Sequence, residues 1–187
     1  MRITELFTAQ SIALDEALTD QEQIISRLVE LQATHGNITD KDAYKKALYA
    51  REAEGSTYVD NGITVPHAKT NVVTRPSLAA LRLSSPVQYS AEDDGTTDLL
   101  FAIAAPENGS LHVDMLARMM QMLMNEDFVE KLKAAKTPAE FLDCIDAQEE
   151  AQFGAESFTQ QEIPQSGYRI LAPASTASPT PIWQRKP

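Results

Sequence analysis

Residues 51–69 read REAEGSTYVDNGITVPHAK, and this stretch passes from a helix end through a loop to a histidine behind a proline. Glycine and small polar residues up to Asn61-Gly62 interrupt any periodicity, which predicts a loop. The apolar ends of Ile63–Val65 indicate a short strand. Pro66 fixes its own φ and biases the preceding residue toward extended geometry. We therefore expect the position of His67 to be stiffly defined.

Two amphipathic helices are predicted before this stretch. Thr19 and Glu22 have the spacing of a capping box, and apolar residues then recur at helical spacing until Gly36. A second helix begins near Thr39 and runs toward Arg51.

Strands and further helices are predicted after it. The apolar runs Leu78–Leu83 and Leu99–Ala104 are typical of interior strands. From Ser110 methionines and leucines recur at helical spacing, and two further helices follow. The last opens with Thr137-Pro138, an N-cap and a proline in the first turn, and should end near Ala147. Strands interspersed with helices predict an α/β sandwich, whereas periodicity leaves the strand order open.

The overall composition excludes several classes of protein. The chain has 187 residues and a formal net charge of −11, which predicts one domain with a tail and disfavours nucleic-acid binding, because that binding needs clustered Lys and Arg. An anionic protein would instead suit a basic protein partner. Its single cysteine, Cys144, allows neither an intramolecular disulfide nor a cysteine zinc cluster, so we expect a cytoplasmic protein. No apolar run reaches the roughly 18 residues that span a bilayer, and we expect no membrane insertion.

Three side chains suit a phosphoryl group. A neutral imidazole such as that of His67 is nucleophilic near neutral pH, and its phosphoramidate is labile enough to pass phosphate onward. His112 follows Ser110 in the first turn of a predicted helix, where backbone N–H groups favour anions. Arg51 has planar donors that match phosphate oxygens. Taken singly, each has an ordinary explanation as a core or surface histidine, or as an arginine that caps a helix end.

The combination resembles the phosphocarrier IIA domains of the fructose/mannitol branch of bacterial sugar phosphotransferase systems. The matching residues are Arg51-Glu52, Gly55-Ser56-Thr57, Asn61-Gly62-Ile63 and Pro66-His67-Ala68-Lys69.

The resemblance implies a mixed β-sheet flanked by helices and a relay without metal or cofactor. His67 would accept phosphate from the small carrier protein HPr and donate it to a cysteine of a IIB domain. His112 and Arg51 would hold the phosphoryl oxygens, and Lys69 would steady the site. A membrane IIC permease, which would select the sugar, would act further along the relay.

One segment departs from the family pattern. Where the family commonly reads Thr-Gly-Ile-Gly, this chain reads Thr57-Tyr58-Val59-Asp60. The loss of two glycines restricts the loop, and Asp60 would add negative charge near a phosphate site, so we expect slower exchange.

Two other functions remain open. Nitrogen-regulatory IIA proteins share the fold and the Pro-His motif but move no sugar, and they act by phosphorylation-dependent binding to other proteins. A hydrolase with a histidine base would need a nearby nucleophile. Ser56 and Thr57 are available for that role, although the chain has no Gly-x-Ser-x-Gly arrangement.

We expect the IIA domain to cover residues 1–147, followed by a linker at 148–167 that is rich in Gln, Glu and Ser. The segment Tyr168–Ala172 resembles the first strand of a fructose-type IIB domain. The prolines from Pro173 onward are incompatible with the phosphate loop and helix that should follow. We therefore interpret residues 168–187 as a truncated or frameshifted start of a IIB domain.

The frameshift hypothesis has a direct test. The segment SPTPIWQRKP can be back-translated so that a neighbouring frame reads Ile-Ala-His-Thr, as IIB phosphate loops do. We expect the coding DNA to contain Cys-x-x-Gly-Ile-Ala-His-Thr in that frame, and its absence would end the hypothesis.

Overall fold

Residues 1–154, which the computed structural model describes, form a six-stranded mixed sheet with helices on both faces. This confirms the predicted α/β class. The strands are β1 (Ile12–Glu16), β2 (Tyr58–Asp60), β3 (Ile63–Thr64), β4 (His67–Thr70), β5 (Ser77–Val87) and β6 (Thr97–Pro106). The helices are α1 (Gln21–Ala33), α2 (Lys41–Ala53), α3 (Leu111–Leu123), α4 (Glu126–Ala134) and α5 (Pro138–Phe153), and 3₁₀ turns cover Ile3–Leu6 and Ala9–Ser11.

Strand β6 organises the sheet. It pairs antiparallel with β5, which in turn pairs parallel with β1, and along its other side it pairs parallel with both β3 and β4. Strand β2 completes this side as the antiparallel partner of β3. Strands β3 and β4 thus follow one line along β6, with Ile63 opposite Leu99 and His67 opposite Ile103. Pro66, which has no N–H to donate, lies at the break between them.

Alternate residues of β6 face two separate cores. Leu99, Phe101 and Ile103 pack with the apolar faces of α3, α4 and α5, whereas Leu100 and Ala102 pack with those of α1 and α2. The sheet is therefore buried on both faces, which explains the uninterrupted apolar sequence of its central strands. The core methionines of α3 belong to the first of these cores, and the buried ones are Met115, Met119 and Met122.

The helix starts agree only in part with the prediction. The Oγ1 of Thr137 accepts a hydrogen bond from Glu140 N at 3.1 Å, which confirms the cap of α5. At α1 the predicted cap at Thr19 is wrong by one residue, because Asp20 accepts from Gln23 N at 2.8 Å. The Gln23 side chain accepts from Thr19 N, one residue before the cap, so the two hydrogen bonds do not form the reciprocal pair of a capping box.

The stretch predicted as loop before Ile63 contains a hairpin. Strands β2 and β3 are joined by Asn61 and Gly62, whose φ angles of 52° and 80° are both positive, as in the two-residue turns that suit the twist of a hairpin. A Cβ on Gly62 would lie 2.5 Å from Asp98 Oδ1, so close approach as well as φ requires glycine there.

Helix α5 extends six residues beyond the predicted end at Ala147, and the first residues of the predicted linker are therefore helical. The cause is Glu149, whose fully buried carboxylate accepts from Ile3 N at 3.0 Å and pairs with Arg118 at 2.8 Å. Phe153 packs under the Arg118 guanidinium at 4.5 Å. The polar composition that suggested a linker thus conceals a buried ion pair. Residues 155–187, with the rest of the predicted linker and the IIB-like segment, lie outside the described residues.

No helix within residues 1–154 combines the length and the apolar character that crossing a bilayer requires.

The Glu149 contacts lead to a test of the domain boundary. Glu149→Ala should lower the free energy of unfolding by about 3 kcal/mol, because it removes a buried carboxylate that accepts from Ile3 N and pairs with Arg118. Glu150→Ala, at an exposed carboxylate one residue away, should change it by less than about 1 kcal/mol. Urea denaturation of both variants measures the difference, and equal stabilities would show that residues beyond Ala147 do not stabilise the domain.

Candidate functional site

Arg51 and His67, two of the three residues expected at a phosphate site, are in direct contact. Arg51 lies in the last turn of α2, and His67 is the first residue of β4. Arg51 Nε donates a hydrogen bond to His67 Nε2 at 3.2 Å. His67 therefore follows β3 and Pro66 and opens β4, and its position is set by the pairing of β4 with β6.

The hydrogen bonds of His67 define its tautomer. Nε2 faces the Arg51 guanidinium, which has only donors, so Nε2 must carry a lone pair. Nδ1 lies 2.9 Å from the carbonyl oxygen of Val65, which only accepts, so Nδ1 carries the proton. Val65 is buried and directly precedes Pro66, which biases it to extended geometry. The neutral imidazole thus presents Nε2 as its nucleophilic atom.

A pocket of about 420 Å³ lies over His67. Its lining is mainly apolar, and its charged rim carries Arg51, Glu54 and Lys69. The charged part of the lining therefore carries both signs of charge. Lys69 is exposed on β4, two residues after His67. The apolar lining consists of Ala47, Ala50, Ala68, Ile103, Ala105, Val113 and Leu116.

His112 is the second residue of α3 and so lies in its first turn, as predicted. Val113, its neighbour, lines the pocket, which brings the start of α3 to the same opening as His67. Ser110, at the N-cap, makes no side-chain cap hydrogen bond. The direction of the His112 side chain is outside what the structure describes, and the contact of both histidines with one phosphoryl group stays a prediction.

A carboxylate beside the site holds the loop after α2. Glu52 accepts from Thr57 N at 3.2 Å, from the Thr57 hydroxyl, and from Tyr89 Oη at 3.1 Å. Burial of Tyr89 and the neighbouring Glu52 charge raise the pKa of the tyrosine, which therefore remains a donor. In the sequence Glu52 stands out only as part of the family motif. Tyr89 lies 37 positions after Glu52, and no local pattern marks it as a partner of that residue.

The geometry does not support a histidine-base hydrolase. Both ring nitrogens of His67 are engaged, by Arg51 and Val65, and neither contact is a hydroxyl. The Ser56 hydroxyl accepts from Tyr58 N at 3.2 Å, and the Thr57 hydroxyl donates to Glu52.

The Tyr58–Asp60 segment, in which the chain departs from the family pattern, forms strand β2 at the edge of the sheet. Asp60 is exposed and is not among the described residues that line the pocket. Asp60 therefore does not add its expected negative charge to the pocket lining, where the carboxylate is that of Glu54. Residues 1–154 also contain no cluster of three or more His, Cys, Asp or Glu side chains suited to a metal ion.

Comparison with known proteins gives consistent matches. The family described as "Phosphoenolpyruvate-dependent sugar phosphotransferase system, EIIA 2" matches residues 5–148. A fructose-specific EIIA component of Haloferax volcanii is 36% identical over 141 residues, which are 73% of this chain and 92% of the relative. A fructose-specific EIIABC component of Bacillus subtilis is 35% identical over 146 residues, which are 78% of this chain but only 23% of that relative.

Solved structures show the same fold. The nitrogen regulatory protein of Neisseria meningitidis superposes with a TM-score of 0.71 at 23% identity, covering 76% of this chain and 98% of that one. The Escherichia coli mannitol IIA, in complex with its phosphorylated IIB, gives 0.66 at 22% identity, with coverages of 75% and 97%. With a family match over most of the described residues, this chain belongs to the EIIA 2 family of the phosphoenolpyruvate-dependent sugar phosphotransferase system.

Proposed function

We propose that the chain is the phosphocarrier of a fructose-like sugar phosphotransferase system, acting in the cytoplasm. In this proposal His67 accepts phosphate from phosphorylated HPr and passes it to a cysteine of a IIB domain, which serves a membrane IIC permease. The observation that carries it is the His67 imidazole, with its Nε2 lone pair directed at Arg51 beneath an open pocket.

The transfer to His67 follows from these contacts. Nε2 attacks the phosphorus of the donor phosphohistidine, and the donor nitrogen leaves with the electron pair of the breaking P–N bond. The Nδ1 proton stays on the ring, where the Val65 carbonyl oxygen stabilises the positive charge that develops on the imidazole. Transfer to a IIB thiolate breaks the new P–N bond and returns its electron pair to Nε2.

Arg51 has two tasks during the proposed transfer. Its Nε–H must leave Nε2 when the phosphoryl group arrives, while Nη1 remains bonded to the Gly55 carbonyl oxygen at 3.0 Å. The released N–H groups then match the phosphoryl oxygens, as planar guanidinium donors do. His112, at the N-terminus of α3, would add a further hydrogen bond, and the backbone there favours an anion.

Three observations support these partners. An apolar pocket around the reacting nitrogen excludes water from the transferred group when a partner covers it. The mannitol IIA complex shows that a domain of this fold binds a phosphorylated IIB. The net charge of −11 would speed encounter with a basic carrier such as HPr.

A nitrogen-regulatory role is the second candidate, since the chain shares its fold with the Neisseria protein. It would use the same phosphorylated histidine, but its outcome would be partner binding rather than transfer. Transfer of ³²P from the phosphorylated chain to an isolated fructose-type IIB domain separates the two roles. Rapid transfer supports the carrier, whereas a stable phosphoprotein that the IIB domain leaves labelled supports the regulator.

The roles of the site residues can be tested by labelling with phosphorylated HPr. Wild type should take one phosphate, His67→Ala none, and His112→Ala one that transfers poorly to IIB. Arg51→Ala should slow labelling by about 100-fold, because it removes a donor to the developing charge. Quenched-flow autoradiography measures the rates. Lys46→Ala, at an exposed residue of α2 outside the pocket lining, should match wild type. Phosphate on His112 in wild type would contradict the assignment.

The position of the phosphoryl group on the ring is a separate expectation. Since Nδ1 is protonated toward Val65, the phosphate should reside on Nε2. Long-range ¹H–¹⁵N NMR of the unphosphorylated chain should show His67 as the Nδ1–H tautomer, and phosphorylation should shift the Nε2 signal. A shift confined to Nδ1 would be inconsistent with the proposed attack.

A further inference from the structure

Glu52 lies next to Arg51 in sequence but does not pair with it. Its carboxylate is engaged by Thr57 and Tyr89, and within residues 1–154 Arg51 forms no ion pair. The fixed charge of Arg51 is thus left for an incoming anion. Because a carboxylate bound to the guanidinium would compete with phosphate, the partners of Glu52 matter for the chemistry.

Thr57, the residue that Glu52 holds, is connected to both sides of His67. Its carbonyl oxygen accepts from Val65 N at 3.0 Å, and the Val65 carbonyl oxygen accepts from His67 Nδ1. Two residues before Thr57, the Gly55 carbonyl oxygen accepts from Arg51 Nη1. The short loop of residues 55–57 therefore holds Val65, whose carbonyl oxygen accepts from His67 Nδ1, and supplies the Gly55 carbonyl oxygen that accepts from Arg51 Nη1.

Side-chain and backbone hydrogen bonds together hold this loop. Gly55 has a φ of 147°, and a Cβ there would meet no atom within 4 Å, so neighbouring side chains do not confine it. The Glu52 carbonyl oxygen accepts from Gly55 N at 3.1 Å, and the Ser56 hydroxyl accepts from Tyr58 N at 3.2 Å. Thr57 is 6% exposed and Tyr89 2% exposed. The Glu52 carboxylate accepts from both the N–H and the hydroxyl of Thr57, and Tyr89, from the segment between β5 and β6, hydrogen-bonds to both Glu52 and Thr57.

We propose that Glu52, held by Tyr89, is a positioning residue for phosphoryl transfer. By its hydrogen bonds to Thr57 it fixes the loop that positions the Arg51 guanidinium and the His67 imidazole. The proposal rests on the proposed phosphocarrier function for its rate effects. It does not make Glu52 a catalytic residue, since the carboxylate touches neither reacting nitrogen.

The discriminating variant is Glu52→Gln. An amide keeps the shape but removes the charge, so the charge-assisted hydrogen bonds from Thr57 N and from the hydroxyls of Thr57 and Tyr89 are replaced by weaker neutral ones. Labelling of His67 by phosphorylated HPr should slow by about 10- to 100-fold in kcat, the loss expected from a small misplacement of reacting groups, with KM for the carrier unchanged. Glu92→Gln, which removes the same charge at an exposed residue between β5 and β6, is the matched control and should behave as wild type.

A double-mutant cycle shows whether Glu52 acts through Arg51. In an Arg51→Ala background, Glu52→Gln should slow labelling by less than about threefold, because residues that act as a unit are not additive. Full additivity of the two losses, or a Glu52→Gln variant as fast as wild type, would overturn the proposal.

A spectroscopic readout keeps the test independent of the phosphocarrier function. In ¹H–¹⁵N spectra Glu52→Gln should turn His67 from the single Nδ1–H tautomer into a mixture, whereas Glu92→Gln should not. If Glu52→Gln does not fold, Tyr89→Phe is the second variant. It removes only one hydroxyl and should change the tautomer ratio of His67 in the same direction but by less. If HPr fails to label wild type, the proposed function fails, and the His67 spectrum still decides the positioning role. An unchanged His67 tautomer in both variants would refute it.

Discussion

The hydrogen bond from His67 Nδ1 to the Val65 carbonyl oxygen is the constraint on which the rest of the site depends. It joins a ring to a backbone carbonyl two residues earlier, so it exists only if the chain between them has one fixed shape. Pro66 supplies that shape, because its ring restricts its own φ and the conformation of Val65. The consequence is chemical, since one nitrogen keeps its proton and the other keeps a lone pair.

The sheet fixes where this short segment lies. Strand β6 pairs with β3 before the proline and with β4 after it, so Val65 and Pro66 form a short break within an otherwise continuous edge. The Pro66 carbonyl oxygen still accepts from Ile103 N at 3.0 Å, which keeps the break from opening. Both faces of β6 are buried, and a one-residue slip would exchange its two cores. The register of β6 therefore protects the position of His67.

Local patterns in the sequence predicted those parts of the molecule that depend on local physics. The proline before His67, the cap at Thr137 and the apolar runs of β5 and β6 each act within a few residues. The assignment of Arg51 and His67 to one site rested on the family motif, and the structure brings the two side chains within hydrogen-bond distance. The Asn61-Gly62 pair is a hairpin signal, but the strands on either side have only two or three residues, which is too short for a clear alternation of apolar and polar residues.

The features that sequence reasoning missed depend on distant partners. The polar end of α5 folds because Glu149 meets Arg118 and Ile3 N, and a glutamate in a polar stretch is ordinarily exposed. The pairing of Glu52 with Tyr89 likewise crosses 37 positions. A strand order with β6 between β5 and the β3–β4 line cannot be read from periodicity, since each strand carries the same apolar signal.

The proposed phosphoryl transfer would need opposite mechanical properties of His67 and Arg51. His67 would have to stay fixed, because the direction of its Nε2 lone pair would set the line of attack, and a strand with a proline before it meets that need. Arg51 would have to move, because its Nε–H occupies the place that the phosphoryl group would take. A side chain at the last turn of a helix, bonded through one Nη to the Gly55 carbonyl oxygen, can turn without leaving the site. The loop that carries this carbonyl is held by the hydrogen bonds of Glu52 with Thr57 and Tyr89. Because Glu52 is engaged there and does not pair with Arg51, the guanidinium is free to exchange partners.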